Sequence, residues 1–155
     1  MAPSRGCKLD QEFPKKKIDG KWRCRWCGKE LSGRKTSWCG ESCADEALIR
    51  CWPTHARYLV ARRDHGICAL CGIDTEKLRE RLIRLRRRWG LDIANKVLWK
   101  YVKQGWPMYI WRSWWEADHV IPVSRGGGQC GLDGYRTLCV PCHKKETAKL
   151  RRKNE

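Results

Sequence analysis

The stretch WEADHVIPVSRGGGQCGLDGYRTLCVPCHKKETAKL, Trp115 to Leu150, decides how the rest of the chain is read. Apolar and polar residues alternate from Glu116 to Val123, the period of a strand. A glycine-rich loop follows at Arg125-Gly126-Gly127-Gly128, where the backbone can turn sharply and come close to a ligand. A second, short strand then leads into Cys139 and Cys142, a CxxC knuckle with His143 directly behind it. The order is strand, loop, short strand, knuckle, helix. On that helix Cys142 and His143 point about 100° apart around the axis, so one can face a metal while the other faces a cleft. On the strand, Asp118 and His119 start on opposite faces of the pleat. Twist and the following loop can still bring both to one cleft.

Cys139 and Cys142 have no second cysteine pair nearby. The matching half-site is Cys68 and Cys71 in HGICALCGID, residues 65–74, followed by Gly72. Two half-sites that each lack a neighbour most simply complete each other around one zinc ion. Further upstream, Cys24 and Cys27 form another CxxC, and Cys39 and Cys43 form a CxxxC. The first suits a hairpin knuckle in which Gly28 takes a positive φ. The second suits the first turn of a helix from Glu41 to Arg50, because ligands four apart share one face. Four thiolates make a closed tetrahedral zinc site with no open position, hence a structural one. Cys51 is either a core cysteine or an alternative ligand, and Cys7 reads as a free thiol.

Between the knuckles lie two predicted helices in residues 75–104. Leu78, Leu82, Leu85 and Trp89 form the apolar stripe of the first, which Asp74 or Thr75 can cap and Gly90 can end. Ile93, Val97 and Tyr101 form the stripe of the second. Arg84, Arg87 and Arg88, with further arginines, give the first helix a face suited to phosphates. The segment 105–115 is dense in aromatics, which are expected to replace scarce aliphatic residues in the core. Residues 1–20, with Lys15-Lys16-Lys17, read as a basic flexible arm, and 151–155 as a basic tail. The domain reading is therefore a zinc-knuckle module over 21–64 and a second domain over 65–150 with a helical insertion at 75–104.

Composition narrows the function classes. The 155 residues carry a net charge of +17, and 33% are charged. There are eleven cysteines and ten tryptophans against one phenylalanine, so metal staples rather than a large aliphatic core are expected to hold the fold. The charge points to a polyanionic partner, foremost nucleic acid. Residues 1–19 lack the apolar core of a signal peptide, and no run reaches transmembrane length. The expected location is cytoplasmic and nucleoid-associated, or nuclear, with no secretion and no membrane partner. In such a reducing compartment the cysteines are expected to be metal ligands rather than disulfides.

The motifs Asp118-His119, Gly126-Gly127-Gly128, Gln129-Cys130, Leu132-Asp133, Thr137-Leu138-Cys139 and Cys142-His143-Lys144 together resemble the HNH endonuclease family. They are similar in particular to the HNH domains of annealing helicases that bear a Ran-binding-type zinc finger. The likeness extends upstream through HGICALCGIDTEKL and, more loosely, to the first knuckle. It implies an α+β fold: a small zinc-stapled ββα-metal (HNH) domain with an N-terminal treble-clef-like zinc knuckle and intervening helices. It implies that His119 is the general base, a role suited to a group that ionises near neutral pH. Asp118 and His143 would ligate one catalytic divalent cation, Mg²⁺ or Mn²⁺, beside two structural Zn²⁺ ions. By charge and position, Arg125, Arg136, Lys144 and Lys145 are candidates for neighbouring phosphates.

One departure qualifies the likeness. The family's middle Asn falls at Gly134, which has no side chain to orient the base histidine. Asp133 next door is a possible substitute; restoring the amide by Gly134→Asn is expected to raise activity if the departure is a handicap, and to change nothing if Asp133 or another group fills the role. The reading is a metal-dependent endonuclease that hydrolyses DNA phosphodiester bonds. A single site favours nicking, and the family outcome is a 5′-phosphate and a 3′-hydroxyl. Double-stranded or branched DNA is the expected partner, with a homodimer or a larger complex as further options. The alternative is a catalytically degenerate, zinc-stabilised nucleic-acid-binding module, and a weaker third is a zinc-organised adaptor for a protein partner.

Overall fold

Both CxxC sequences fold into the same knuckle. Cys24 donates its backbone N–H to Lys29 and its carbonyl accepts from Gly28; Cys68 repeats this with Ile73 and Gly72. Gly28 and Gly72 have φ of 74° and 70°. That is the left-handed turn expected at Gly28, and one residue type closes both knuckles without a Cβ penalty.

The computed structural model describes residues 9–152. The elements are α1 Leu9–Glu12, β1 Lys16–Ile18, β2 Lys21–Arg23, α2 Glu41–Cys51, α3 Pro53–Asp64, α4 Thr75–Val102, β3 Trp115–His119, β4 Tyr135–Cys139 and α5 Val140–Arg152. Among the described residues the fold is α+β, with two two-stranded sheets, β1–β2 and β3–β4. The last three elements are the β, β and α of the decisive stretch. Two compact units are distinguished. One runs up to Leu59 and takes in His119–Tyr135; the other is Val60–Asp118 with the segment from Arg136 onward.

In the first unit, β1 and β2 pair antiparallel in the register Lys16↔Arg23, Lys17↔Trp22 and Ile18↔Lys21. The expected arm is therefore structured from residue 9 on. Arg25 explains why: its side chain is only 5% exposed. It donates to the carbonyls of Leu9 and Phe13 and to the Asp10 carboxylate, tying α1 to the knuckle. Cys7 lies outside the described residues. Ala47, Ile49 and Cys51 of α2 and Ala56 and Leu59 of α3 are the buried apolar residues of these helices in this unit. Cys51 is disulfide-bonded, a departure from the expectation that the cysteines serve as ligands.

The loop from β3 to β4 belongs to this unit and differs from the predicted strand-and-loop. β3 ends at His119 rather than Val123. Pro122 has no N–H to donate to a ladder, and its carbonyl instead accepts from Arg125 and Gly127 in a tight turn. A Cβ on Gly127 would lie 1.8 Å from the Ile121 carbonyl oxygen. The glycine run thus allows the backbone to approach itself. At the far side, a Cβ on Gly131 would lie 3.1 Å from Arg50 Nη2. Arg50 pairs with Glu46 at 2.6 Å and stacks 4.5 Å over Trp26, so α2 braces the loop.

The second unit has its own core. Leu78, Leu82, Leu98, Trp106, Ile110, Trp114 and Leu138 pack with Cys68 and Cys139. Asp74 caps α4 by accepting from Lys77 N–H at 2.9 Å. The helical path breaks at Gly90, with φ 81° and ψ 177°, as the sequence indicated. The break re-aims the C-terminal part of α4. Trp89 and Ile93 of the predicted stripes are exposed, and Ala94 and Leu98 are buried instead. The aromatic segment divides in a similar way. Trp106, Ile110, Trp114 and Trp115 are buried as expected, whereas Trp111 is 70% exposed. It stacks on Tyr109 at 4.7 Å. Asp64 anchors β4, accepting from the Thr137 N–H at 3.1 Å and from its hydroxyl at 2.8 Å.

Candidate metal and catalytic centre

Eight cysteines gather as two groups of four. Cys24, Cys27, Cys39 and Cys43 form one, and Cys68, Cys71, Cys139 and Cys142 form the other. Within each, the sulfurs lie within 4.8 Å of one another. Bonds of about 2.3 Å to a tetrahedral zinc ion separate sulfurs by about 3.8 Å. Cys27 and Cys39 are 3.7 Å apart, and so are Cys71 and Cys139. The pairing of the two orphan half-sites across the chain is therefore present in the fold.

The electrostatics also fit a cation. Burial opposes ionisation of Cys24, but the backbone amides of Cys27, Cys39 and Trp26 aim at its sulfur and lower its pKa to about 6. Cys68 is likewise lowered to about 7, against burial, by the amides of Cys139, Cys71 and Leu70. Their companions move the other way. Cys43 is pushed up to about 12, first by its hydrogen bond with Cys39. Cys139 is raised by burial and by neighbouring thiols. Crowded thiolates repel, so all four ionise together only around a cation. Each group could hold one zinc ion.

A different arrangement surrounds Asp118 and His143. Asp118 Oδ1 lies 3.8 Å from His143 Nε2. The other oxygen, Oδ2, takes both Nε and Nη2 of Arg136 at 2.9 Å. Arg136 also reaches Glu146 Oε2 at 3.4 Å. Arg136 is thus held by two carboxylates, and it turns the free oxygen of Asp118 toward His143. Bonds of about 2.1 Å to one small divalent cation put two ligand atoms between about 3 and about 4.2 Å apart. The Asp118–His143 separation falls inside that span. Sequence reasoning missed Glu146. Its signal was its place three residues after His143 on α5, the spacing that shares a helix face.

His119 follows Asp118 on β3 and belongs to the first unit. Its ring packs on Tyr135 with centroids 4.4 Å apart and planes tilted 42°. Its Nε2 is buried and has no hydrogen-bond partner among the described residues. Tyr135 is another residue the sequence reading passed over. Alternation within β4 buries it, and nothing in the sequence marked its contact with His119.

Gly134 has a local explanation. A Cβ built there would lie 2.3 Å from Cys130 Cβ and 2.4 Å from Cys130 Sγ. The Cys130 side chain already fills the space that any larger residue at 134 would need. The expectation that Gly134→Asn raises activity is therefore withdrawn. Overpacking of this kind costs about 1–3 kcal/mol. Gly134→Asn is expected to lower the thermal midpoint with no gain in rate, and Cys130→Gly in the same chain should recover part of the loss. Differential scanning calorimetry of the single and double variants checks this. An unchanged midpoint in the single variant would refute the steric reading.

The basic candidates fall on both units. Arg125 is exposed in the first, and Lys145, Arg84, Arg87 and Arg88 are exposed in the second. Lys144 is also exposed and donates to the Gly105 carbonyl at 2.8 Å.

The sequence profile of the HNH endonuclease family matches residues 110–149. The mouse protein named DNA annealing helicase and endonuclease ZRANB3 is 30% identical over 135 residues, covering 79% of this chain. The human protein of the same name is 30% identical over 139 residues. This chain spans 12% of the length of each. The crystal structure of the human ZRANB3 HNH domain is 30% identical in sequence, with 64% of this chain and 95% of that one covered and a TM-score of 0.38. With the profile lying on Asp118, His119, Cys139, Cys142 and His143, this chain carries a domain of the HNH endonuclease family.

Proposed function

We propose that this chain is a metal-dependent DNA endonuclease that nicks one strand and leaves a 5′-phosphate and a 3′-hydroxyl. The observation that carries the proposal is the Asp118–His143 pair. It places a free carboxylate oxygen and an imidazole nitrogen 3.8 Å apart on separate elements, β3 and α5. Arg136 holds the carboxylate in that orientation. Family membership, the word endonuclease in the relatives' names, and a net charge of +17 support the same reading.

Asp118 and His143 would hold a divalent cation, which would supply charge stabilisation for phosphodiester hydrolysis. His119 takes the proton of the attacking water. Arg125, Lys144 and Lys145 bind neighbouring phosphates, and Arg84, Arg87 and Arg88 extend the phosphate-binding surface. Arg136 acts by orienting Asp118. The substrate is double-stranded or branched DNA, and one centre per chain cuts one strand per encounter.

Supercoiled plasmid in Mg²⁺ or Mn²⁺ tests the proposal. The expected product is open-circular DNA that a ligase reseals without treatment of its ends. Plasmid that is bound but never converted, across several divalent metals and forked substrates, would leave a nucleic-acid-binding module in place of the enzyme.

A further inference from the structure

The group that orients His119 is the question left open by Gly134. A general base needs its ring plane fixed, because small errors in aim cost rate. A hydrogen bond to the second ring nitrogen is the usual device. Here Nε2 is buried and has no such bond among the described residues. What touches the ring is the face of Tyr135, 4.4 Å between centroids.

Tyr135 is itself fixed. It is 7% exposed, and its hydroxyl lies beside the sulfur of Cys130. Burial first, and the Cys130 thiol second, push the phenol up to about 12, so it stays a donor at working pH. Cys130 in turn occupies the space over Gly134, where even a methyl group would sit 2.4 Å from its sulfur. The three residues interlock. The missing side chain at 134 admits Cys130, Cys130 lies against the hydroxyl of Tyr135, and the ring of Tyr135 packs on that of His119.

We infer that Tyr135, anchored by Cys130, is the positioning residue for His119, in the role that a side-chain amide at 134 would otherwise fill. The inference rests on the endonuclease reading for the purpose of the positioning, but not for the contact itself.

The test is nuclear magnetic resonance of the zinc-loaded chain labelled at histidine, with the His119 signals assigned by their loss in His119→Ala. The ring current of Tyr135 should displace the native His119 carbon-bound protons. Tyr135→Leu should return them to ordinary positions and broaden them, and Tyr135→Phe should restore most of the displacement. In single-turnover plasmid nicking, Tyr135→Leu should be slower by about tenfold or more at unchanged DNA affinity. Tyr135→Phe should recover most of that rate. A zinc-loaded Tyr135→Leu chain with native His119 signals would overturn the inference. Should that variant fail to load zinc, Cys130→Ala serves instead, since it frees the hydroxyl and removes only a thiol. It should shift the His119 signals in the same direction, and unchanged signals would overturn the inference equally. A native chain that cuts nothing refutes the endonuclease reading alone, because the resonances still decide what positions the ring.

Discussion

His119→Ala is expected to abolish plasmid nicking while leaving plasmid binding within about twofold of the native chain. Proton transfer by a positioned base contributes about 10²–10⁴-fold to such reactions, so the residual rate should fall by that factor. Binding should survive because the phosphate contacts come from other residues. Arg125, Arg84, Arg87 and Arg88 are all exposed and basic. The fold should survive as well. His119 is one half-buried side chain on β3, and among the described residues its Nε2 makes no hydrogen bond that the substitution would break. The contrasting variant is His143→Ala. It removes a proposed ligand rather than the base, so raising the Mn²⁺ concentration should recover part of its activity and none of that lost in His119→Ala. Gel-resolved nicking rates across a metal titration, with affinity measured in parallel, read both. Full activity in His119→Ala would remove it from the mechanism.

Stripping zinc is expected to unfold the chain. Structural zinc in small domains contributes about 10–16 kcal/mol at neutral pH, whereas a domain's whole net stability is about 5–15 kcal/mol. Neither unit has spare core to offset that loss. The second unit buries two of its proposed ligands, Cys68 and Cys139, inside the same cluster as Leu138 and Trp114. Once the ion is gone, four thiols within 4.8 Å of one another remain, with nothing to favour their closeness. The native chain should carry two zinc ions by elemental analysis. Cys27→Ser and Cys71→Ser should each carry one, and Cys130→Ser should keep two. A strong chelator should abolish the helical circular dichroism signal and the cooperative melt. A metal-free chain with both unchanged would mean that the cysteine groups are not metal sites.

These two outcomes draw on different parts of the chain. The two groups of four cysteines were legible in the sequence. Cys24, Cys27, Cys39 and Cys43 are close along the chain, and spacing alone dictates their geometry through a knuckle and a helix turn. Even the long-range pairing of Cys68 and Cys71 with Cys139 and Cys142 was legible, because a half-site demands a partner and one remained. The break of α4 at Gly90 was legible for the same reason, since glycine ends a helix through local backbone freedom.

Side-chain partners separated by a strand pairing or a loop were not legible. Arg136 looked like a phosphate ligand by charge, and its two carboxylate partners, Asp118 and Glu146, lie on other elements. Trp111 looked like core by composition, and the direction of its loop leaves it exposed. Gly134 looked like a loss, and only packing shows that Cys130 takes up its space. The sequence by itself determined the grouping of the eight cysteines and the order of strand, loop, strand, knuckle and helix, because cysteine spacing and backbone period are local properties. The tertiary structure alone decided which oxygen of Asp118 is free, what touches His119 and why residue 134 is glycine. Those depend on distances of a few ångströms between residues that no local rule relates.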